Sequence, residues 1–262
     1  MAGGLRSGMD GAKGDKMNDA AALVLARGLR KEYGRGEGMV RAVAGIDLEV
    51  PQGETLAVMG PSGCGKSTLL YLLSGLERPT AGEVWLAGSR IDRLSERELA
   101  HIRCHEVGFV FQAFHLMDEL TAQENVELPV LLARHSPKEA RRRARDLLEQ
   151  VGLADRADHL PSALSGGQCQ RVAIARALAN KPEIVFADEP TGNLDSAATL
   201  EVLRVFEQLH DGGLTLVVVT HDERIAATAD RLIAMRDGVF VDETRLVGGA
   251  RGSLADLFRG EE

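Results

Sequence analysis

Short apolar runs alternate with amphipathic segments along most of this chain, which is the pattern of an α/β protein. Several of the runs are continuously apolar, as in strands that a sheet buries on both faces. Residues 82–86 instead have the pattern of an edge strand with Trp85 half buried, and Asp237 with Gly238 favours a tight hairpin between the last two runs. The predicted strands are 22–33, 40–50, 55–59, 82–86, 107–111, 183–187, 214–219, 231–235 and 239–242.

Helices are predicted where apolar residues recur every three or four positions behind a capping residue. Thr121 with Glu124 three positions later has the spacing of a capping box, and Pro137 suits the first turn of the next helix. The predicted helical segments are 66–74, a segment from about 95, most of 112–160 including 137–151, then 168–179 and 196–210.

Composition and charge narrow the possible classes of protein. The chain has 262 residues, 44% hydrophobic and 27% charged, which fits one or two globular domains and excludes a wholly disordered chain. No apolar run approaches the roughly 20 residues of a membrane-spanning helix. The net charge of -8 is a poor basis for a sequence-independent grip on nucleic acid. We predict one domain at 21–247 between a flexible tail at 1–20 and a C-terminal tail at 248–262.

The strongest chemical motif lies between the third predicted strand and the first predicted helix. It has the form G-x-x-x-x-G-K-S, whose backbone N–H groups and helix N-terminus form a nest for phosphate. Lys66 is expected to reach the β- and γ-phosphates of a nucleotide, and the Ser67 hydroxyl to bind Mg²⁺. The alternative is a chance glycine turn, which the flanking strand and helix disfavour. The residues of this phosphate loop are Gly60, Pro61, Ser62, Gly63, Cys64, Gly65, Lys66, Ser67 and Thr68.

An acidic pair at the end of a later apolar strand is the second motif. Asp188 is expected near the phosphate loop, where it can hold the metal shell. Glu189 is expected to point to the other side of the strand end, where a carboxylate can orient and deprotonate a water for attack on the γ-phosphate. When such a pair stands alone, an acidic turn after a buried strand is the alternative interpretation.

Ser165, Gly166 and Gly167 precede the predicted helix 168–179 and form a second candidate anion site. As a helix cap alone this tripeptide means little. A second anion site beside a single phosphate loop suggests that the two sites face each other across a dimer. Each nucleotide would then be held by the loop of one copy and the Ser-Gly-Gly segment of the other.

With these motifs, the sequence resembles the ATP-binding subunits of ABC transporters over about residues 22–247. The segment 164–171 differs from the most familiar form of the family signature only at Cys169, where glutamine is usual. The other motifs of the family stand in the expected order. The matching positions are Gln112 of the Q-loop, the D-loop segment 192–195, the switch histidine His221 and the adenine-stacking aromatic Tyr33.

The resemblance implies a role for each of these residues. Gln112 is implied to contact Mg²⁺ or the attacking water, and His221 to contact the γ-phosphate and hold Glu189 and water in line. Taken singly, His221 would more simply be a polar residue closing a strand, and Tyr33 a half-buried strand aromatic. The residues implied to act across a dimer interface are Ser165, Gly166, Gly167, Gln168 and Asp195.

The resemblance also implies the fold class and the activity. The fold is an α/β ATPase core with a mainly parallel sheet, an N-terminal antiparallel β subdomain and a helical subdomain at about 89–164. The activity is hydrolysis of ATP with Mg²⁺ in a homodimer with composite sites, driving a separate transmembrane permease that docks near 111–119. The chain is then expected at the cytoplasmic face of the inner or plasma membrane, held there by the permease, with no nucleic acid partner.

Within the family, the segments 109–129 and 188–196 resemble the ATPases of lipoprotein-release and macrolide-export systems, so we predict export or extraction of a lipoprotein, drug or peptide. The alternative is an ATPase that transmits force without moving cargo, like the cell-division ATPase, which is a close relative of these systems. ABC proteins of translation carry two ATPase units and those of DNA repair carry a long coiled coil, for which the roughly 50 residues between Gln112 and Leu164 are too few. A P-loop kinase of a small metabolite would not need Glu189, His221 or the segment at Ser165.

Overall fold

The computed structural model describes residues 22–246, and the two predicted tails at 1–20 and 248–262 lie outside the described residues. Within this range the strands form an antiparallel sheet and a mainly parallel sheet. The strands are β1 Ala22–Tyr33, β2 Val40–Pro51, β3 Thr55–Met59, β4 Ala81–Leu86, β5 Ser89–Arg90, β6 Val107–Phe111, β7 Ile184–Asp188, β8 Thr215–Thr220, β9 Arg231–Arg236 and β10 Val239–Arg245.

The antiparallel sheet has the strand order β2-β1-β4-β5, with β1 and β2 paired along their whole length. β4 lies between β1 and the short β5, so the expectation of an edge strand with a half-buried Trp85 is wrong. Trp85 is buried, with the guanidinium groups of Arg27 and Arg90 at 5.6 Å and 5.2 Å from its ring centroid. These arginines cover a ring that the strand pattern alone would leave half open to water.

The second sheet has the strand order β10-β9-β3-β8-β7-β6 and is parallel except for β10. Asp237 and Gly238, both with positive φ, form the predicted hairpin between β9 and β10. Every residue of β7 and β8 is buried, which explains their continuously apolar sequences. The carboxyl ends of β3, β8, β7 and β6 lie along one edge, which is where ligands bind in open α/β sheets.

Two helices begin at the residues that their capping signals predict, whereas the helix predicted at 168–179 begins at Gly166, two residues earlier. Thr121 and Glu124 form a complete capping box, and Pro137 occupies the first turn of its helix. A single helical turn between β8 and β9 was not predicted, because four residues are too few to display a helical period. The helices are α1 Lys66–Leu73, α2 Glu96–His105, α3 Ala122–Leu132, α4 Pro137–Gln150, α5 Gly166–Ala177, α6 Ser196–Asp211 and α7 Glu223–Ala226.

A helical subdomain packs beside the parallel sheet. Val126, Val130 and Leu148 are fully buried where α3, α4 and α5 meet. Gly108 lets α5 lie close against β6, because a Cβ there would be 2.6 Å from the carbonyl oxygen of Ala177. The range predicted for this subdomain, 89–164, also contains β5 and β6, which are strands of the two sheets. The helices that pack on one another therefore begin after β6. The two sheets and their helices confirm the predicted α/β fold class.

Candidate active site

The carboxyl edge of the parallel sheet brings the separate motifs to one cavity of about 640 Å³. The phosphate loop follows β3, Gln112 follows β6, Glu189 follows β7 and His221 follows β8. Parallel strands end at the same edge, so residues far apart in the chain meet there. The residues that line the cavity are Ala42, Gly60, Pro61, Ser62, Gly63, Gly65, Lys66, Ser67, Thr68, Gln112, Glu189 and His221.

Glycines determine the shape of the phosphate loop. Gly65 has φ +105°, in the left-handed region that favours glycine. A Cβ at Gly65 would lie 2.0 Å from the carbonyl oxygen of Ala42 in β2, and one at Gly60 would lie 2.1 Å from that of Met235 in β9. No side chain caps the first turn of α1, which begins directly after Gly65, so its first N–H groups are available to an anion.

Lys66 places a buried positive charge inside this loop. Its side chain is 7% exposed, and Nζ donates to the carbonyl oxygens of Gly60 at 2.8 Å and Pro61 at 3.2 Å. Oε1 of Glu189 lies 3.7 Å from the same Nζ. Each of these oxygens can be exchanged for a phosphate oxygen, because an ammonium group binds as a point charge with three rotatable donors.

Asp188 and Ser67 form the pair predicted to bind metal. Ser67 Oγ donates to Oδ1 of Asp188 at 2.8 Å, and the hydroxyl of Tyr71 donates to Oδ2 at 2.8 Å. Burial and the hydrogen bond to Asp188 raise the pKa of Tyr71 to about 12, so its phenol remains a donor at neutral pH. A hydroxyl and a carboxylate oxygen side by side at the entrance of a phosphate nest are the hard oxygen ligands that Mg²⁺ prefers.

Glu189 and His221 form a second hydrogen-bonded pair, next to Lys66. Oε2 of Glu189 lies 2.8 Å from His221 Nδ1 and accepts from the backbone N–H of His221 at 3.2 Å. A carboxylate only accepts, so Nδ1 carries a proton in this contact and Nε2 is left for another partner. The imidazole is 70% exposed whereas Glu189 is 16% exposed, so the acid is the better protected member of the pair.

The backbone of Glu189 adopts φ +45°, which is unusual for a residue with a side chain. Such a conformation costs on the order of 1–2 kcal/mol. Two backbone hydrogen bonds maintain it: the N–H of Glu189 donates to Val219 in β8, and its carbonyl accepts from Gly192.

Gln112 is joined to the segment that follows the acidic pair. Its side-chain amide donates to Asn193 Oδ1 at 3.3 Å, and Asn193 donates back to the Gln112 carbonyl at 3.0 Å. A Cβ at Gly192 would lie 2.6 Å from Nε2 of Gln112, so glycine is needed for this close approach. The Q-loop and the D-loop segment are therefore in contact within one copy of the chain.

Three predicted site residues, Tyr33, Cys64 and Asp188, lie beside the cavity without lining it. Tyr33 is 40% exposed, and its hydroxyl donates to Glu77 at 2.6 Å. Partial burial and this hydrogen bond raise the pKa of Tyr33, and Thr68 contacts the same hydroxyl. The Cys64 side chain is 5% exposed and packs in the core, so only its backbone belongs to the loop. A hydroxyl and a buried thiol thus lie next to the loop without facing the cavity.

The residues predicted to act across a dimer interface do not line this cavity. Ser165 is the N-cap of α5 and forms a capping box with Gln168, while Gly166 is exposed and Gly167 packs on Ala198. Asp195 caps α6 by accepting from the N–H of Ala198 at 2.8 Å. Ser165 and Asp195 are both exposed, so a second molecule can reach them.

Comparison with known proteins shows where the chain belongs. A family model described as "ABC transporter" matches residues 43–192. The chain is 50% identical to an uncharacterized ABC transporter ATP-binding protein of Methanocaldococcus jannaschii, over 84% of this chain and 98% of that protein. The chain belongs to the ABC transporter family. The predicted family and enzyme class, an ABC transporter ATPase, are thereby confirmed.

Two further relatives of this ABC transporter ATPase place it more closely. It is 50% identical to the macrolide export ATP-binding/permease protein MacB 1/2 of Paracoccus denitrificans over 86% of this chain, and spans about a third of that relative, 34%. The ATP-binding cassette MJ0796, solved as a dimer bound to ADP and Pi, matches with a TM-score of 0.81 and 42% identity over 86% of this chain and all of that one. None of the helices in the described part of the chain is both long and apolar enough to cross a membrane.

Sequence reasoning missed two residues at this ABC site. Tyr71 contacts Asp188, and its position one helical turn after Ser67 was an available signal, since residues four apart share a helix face. Ala42 lines the cavity through the closeness of β2 to the loop. Nothing in the sequence around Ala42 marks it, because the contact joins two sheets.

We expect Gly65→Ala to reduce the affinity for ADP at least about tenfold, because a Cβ there meets the backbone of β2 and the loop must move. Fluorescence titration with a labelled ADP measures this. Gly88→Ala is the matched control: φ is +73°, but a Cβ there meets no atom within 4 Å and the residue lies outside the cavity. It should lower the free energy of unfolding by about 1–2 kcal/mol and leave ADP binding unchanged. Normal ADP binding by Gly65→Ala would contradict the assignment of the phosphate loop as the nucleotide-binding site.

Proposed function

We propose that this chain hydrolyses ATP with Mg²⁺ at the cavity around Lys66, and that two copies together power a separate membrane permease. The observation that carries the proposal is the convergence of Lys66, Ser67 and the Glu189–His221 pair on one cavity, with Asp188 hydrogen-bonded to Ser67 beside it. A nest of N–H groups with a buried lysine suits a triphosphate, and the two carboxylates, Asp188 and Glu189, suit metal binding and base catalysis.

The residues of the loop bind and orient the nucleotide. Lys66 exchanges its carbonyl partners for oxygens of the β- and γ-phosphates, and the N–H groups at the start of α1 surround the same phosphates. Tyr33, at the edge of the loop, stacks on the adenine through its exposed ring. Ser67 and Asp188 would hold Mg²⁺, with Gln112 as a further contact to the ion or to the attacking water. When bound, the ion would supply positive charge that stabilises the transferred phosphoryl group.

Glu189 acts as the general base. Its carboxylate accepts the proton of a water as the water oxygen attacks the γ-phosphorus and the bond to the β–γ bridging oxygen breaks. His221 Nδ1 holds Oε2, which leaves Oε1 on the cavity side near Lys66. His221 Nε2 is then the atom available to the γ-phosphate. The turn at Glu189 keeps the base in place before nucleotide arrives.

We expect Glu189→Gln to slow hydrolysis about 10²- to 10⁴-fold while ATP binding persists, because the amide fills the same space but cannot accept the proton as a carboxylate does. Phosphate release and labelled-ATP binding measure the two properties. Glu223→Gln makes the same change on an exposed acid two residues beyond His221 and should turn over ATP normally. If Glu189→Gln hydrolyses ATP at the wild-type rate, Glu189 is not the general base.

The second half of each ATP site is supplied by the partner copy. Ser165 and Gly166 are exposed at the N-terminus of α5, outside the cavity of their own chain, and Asp195 is exposed at the start of α6. An exposed helix N-terminus is a ready anion site, and the Ser165 hydroxyl that caps it can still donate its own proton. The similar cassette MJ0796 was solved as a dimer, which supports the same arrangement here.

Substitutions of Ser165 that preserve the helix cap test this composite site. Asp and Asn both cap helices as well as Ser, but only Asp brings negative charge to the place where a partner's phosphates would lie. In the Glu189→Gln background, Ser165→Asp should abolish the ATP-dependent dimer on a sizing column, whereas Ser165→Asn should retain it. Dimers of equal stability in both variants would contradict the composite site.

The permease docks on a groove formed by α2, β6, α3 and α5, with a volume of about 450 Å³. Its lining is largely apolar, with Phe109, Phe111, Leu128 and Leu132 among the side chains. Leu132 is 69% exposed at the edge of this apolar lining, where a partner would bury it together with the groove. The MacB relatives are named as joined ATP-binding/permease proteins, which supports a permease as the partner and the cytoplasmic membrane face as the location.

We expect Leu132→Glu to abolish co-purification with a polytopic membrane protein from detergent extracts, because the carboxylate is desolvated in the apolar groove. Mass spectrometry identifies the captured protein. Val241→Glu changes an exposed residue on β10, away from the groove, and should retain it. Equal retention by both variants would place the permease elsewhere.

The similarity to macrolide-export proteins supports export or extraction of a lipoprotein, drug or peptide. The alternative is an ATPase that transmits force without moving cargo. ATPase assays on the complex with its permease separate the two, because only a transporter is stimulated by its cargo. The groove and the composite sites serve both alternatives equally.

A further inference from the structure

The carboxylate of Asp188 is held through both of its oxygens. Ser67 binds Oδ1 and Tyr71 binds Oδ2, each at 2.8 Å. Asp188 is only 8% exposed, so water has little access to replace either donor. The orientation of this carboxylate is therefore determined by two hydroxyl groups of α1.

The two donors are one helical turn apart, so they lie on the same face of α1. Ser67 belongs to the phosphate loop, whereas Tyr71 lies three positions beyond Thr68 and outside that motif. The ring of Tyr71 packs against the core, which fixes the position of its hydroxyl. A donor on a packed ring can hold a carboxylate in one orientation, because the ring cannot move with the carboxylate if the carboxylate rotates.

We propose that Tyr71 is a positioning residue for the magnesium site, holding Oδ2 of Asp188 so that Oδ1 stays beside the Ser67 hydroxyl. The inference rests on the proposed function, since Ser67 and Asp188 must be the pair that binds Mg²⁺. Loss of such an outer hydrogen bond typically lowers metal affinity about 10- to 100-fold. Tyr71 does not line the cavity, so its loss should change metal affinity and leave nucleotide affinity intact.

The test measures metal binding directly in the Glu189→Gln background, which retains ATP. Protein in excess over ATP is titrated with Mn²⁺ in place of Mg²⁺, and free Mn²⁺ is followed by electron paramagnetic resonance. Tyr71→Phe should require about 10- to 100-fold more Mn²⁺ for half-saturation, whereas its affinity for ATP in EDTA should stay within about twofold of the parent.

Two matched substitutions separate positioning from packing. Ser74 is the C-cap of α1, and its hydroxyl donates to the main-chain carbonyl of Tyr71 at 3.2 Å. Ser74→Ala removes this hydroxyl and should leave the Mn²⁺ midpoint unchanged. Replacing Tyr71 by 4-aminophenylalanine restores a donor at the same place and should recover the parent midpoint. If Tyr71→Phe fails to fold, 4-methylphenylalanine, which has a similar shape but no donor, takes its place in the comparison.

An unchanged Mn²⁺ midpoint without the hydroxyl would overturn the proposal. Equal shifts in Tyr71→Phe and Ser74→Ala, or no recovery with 4-aminophenylalanine, would also overturn it, because packing would then explain the effect. Failure of the parent itself to bind ATP in EDTA would instead overturn the proposed function, and this inference with it.

Discussion

The parallel pairing of β3, β8, β7 and β6 is the constraint on which the whole site depends. Parallel strands in continuous register end together, so the segments that follow them share one edge. Lys66, Gln112, Glu189 and His221 come from four such segments and meet although they are far apart in the chain. A slip of one residue in any pairing would turn a site residue to the opposite face of the sheet.

Each charge at this edge has a partner among the protein's own groups. Lys66 is buried beside loop carbonyls and Glu189, Asp188 is held by two hydroxyls, and Glu189 is held by His221. Unpaired buried charges are costly, so these contacts stabilise the site in its own right. The same groups remain exchangeable, because lysine can turn to phosphate oxygens and the Ser67–Asp188 pair can accept a cation.

Local signals predicted most of the elements. The capping box at Thr121 and the hairpin at Asp237 depend on neighbouring residues alone, and they lie where the sequence indicated. The burial of Trp85 depends on the arginines that cover it, so an alternating strand pattern could not reveal it. α7 is too short to have a period.

By itself, the sequence determined which residue types could bind phosphate, cap helices and supply a base, because glycine spacing, capping pairs and strand-end acids are properties of short segments. Only the tertiary structure decided that Tyr71 holds Asp188, that Ala42 forms a wall of the cavity and that the Cys64 side chain is withdrawn into the core. It also decided that the segment at Ser165 lies away from its own chain's cavity. These contacts join residues that are distant in the chain, and they depend on how two sheets and a helix stack, which no short segment encodes.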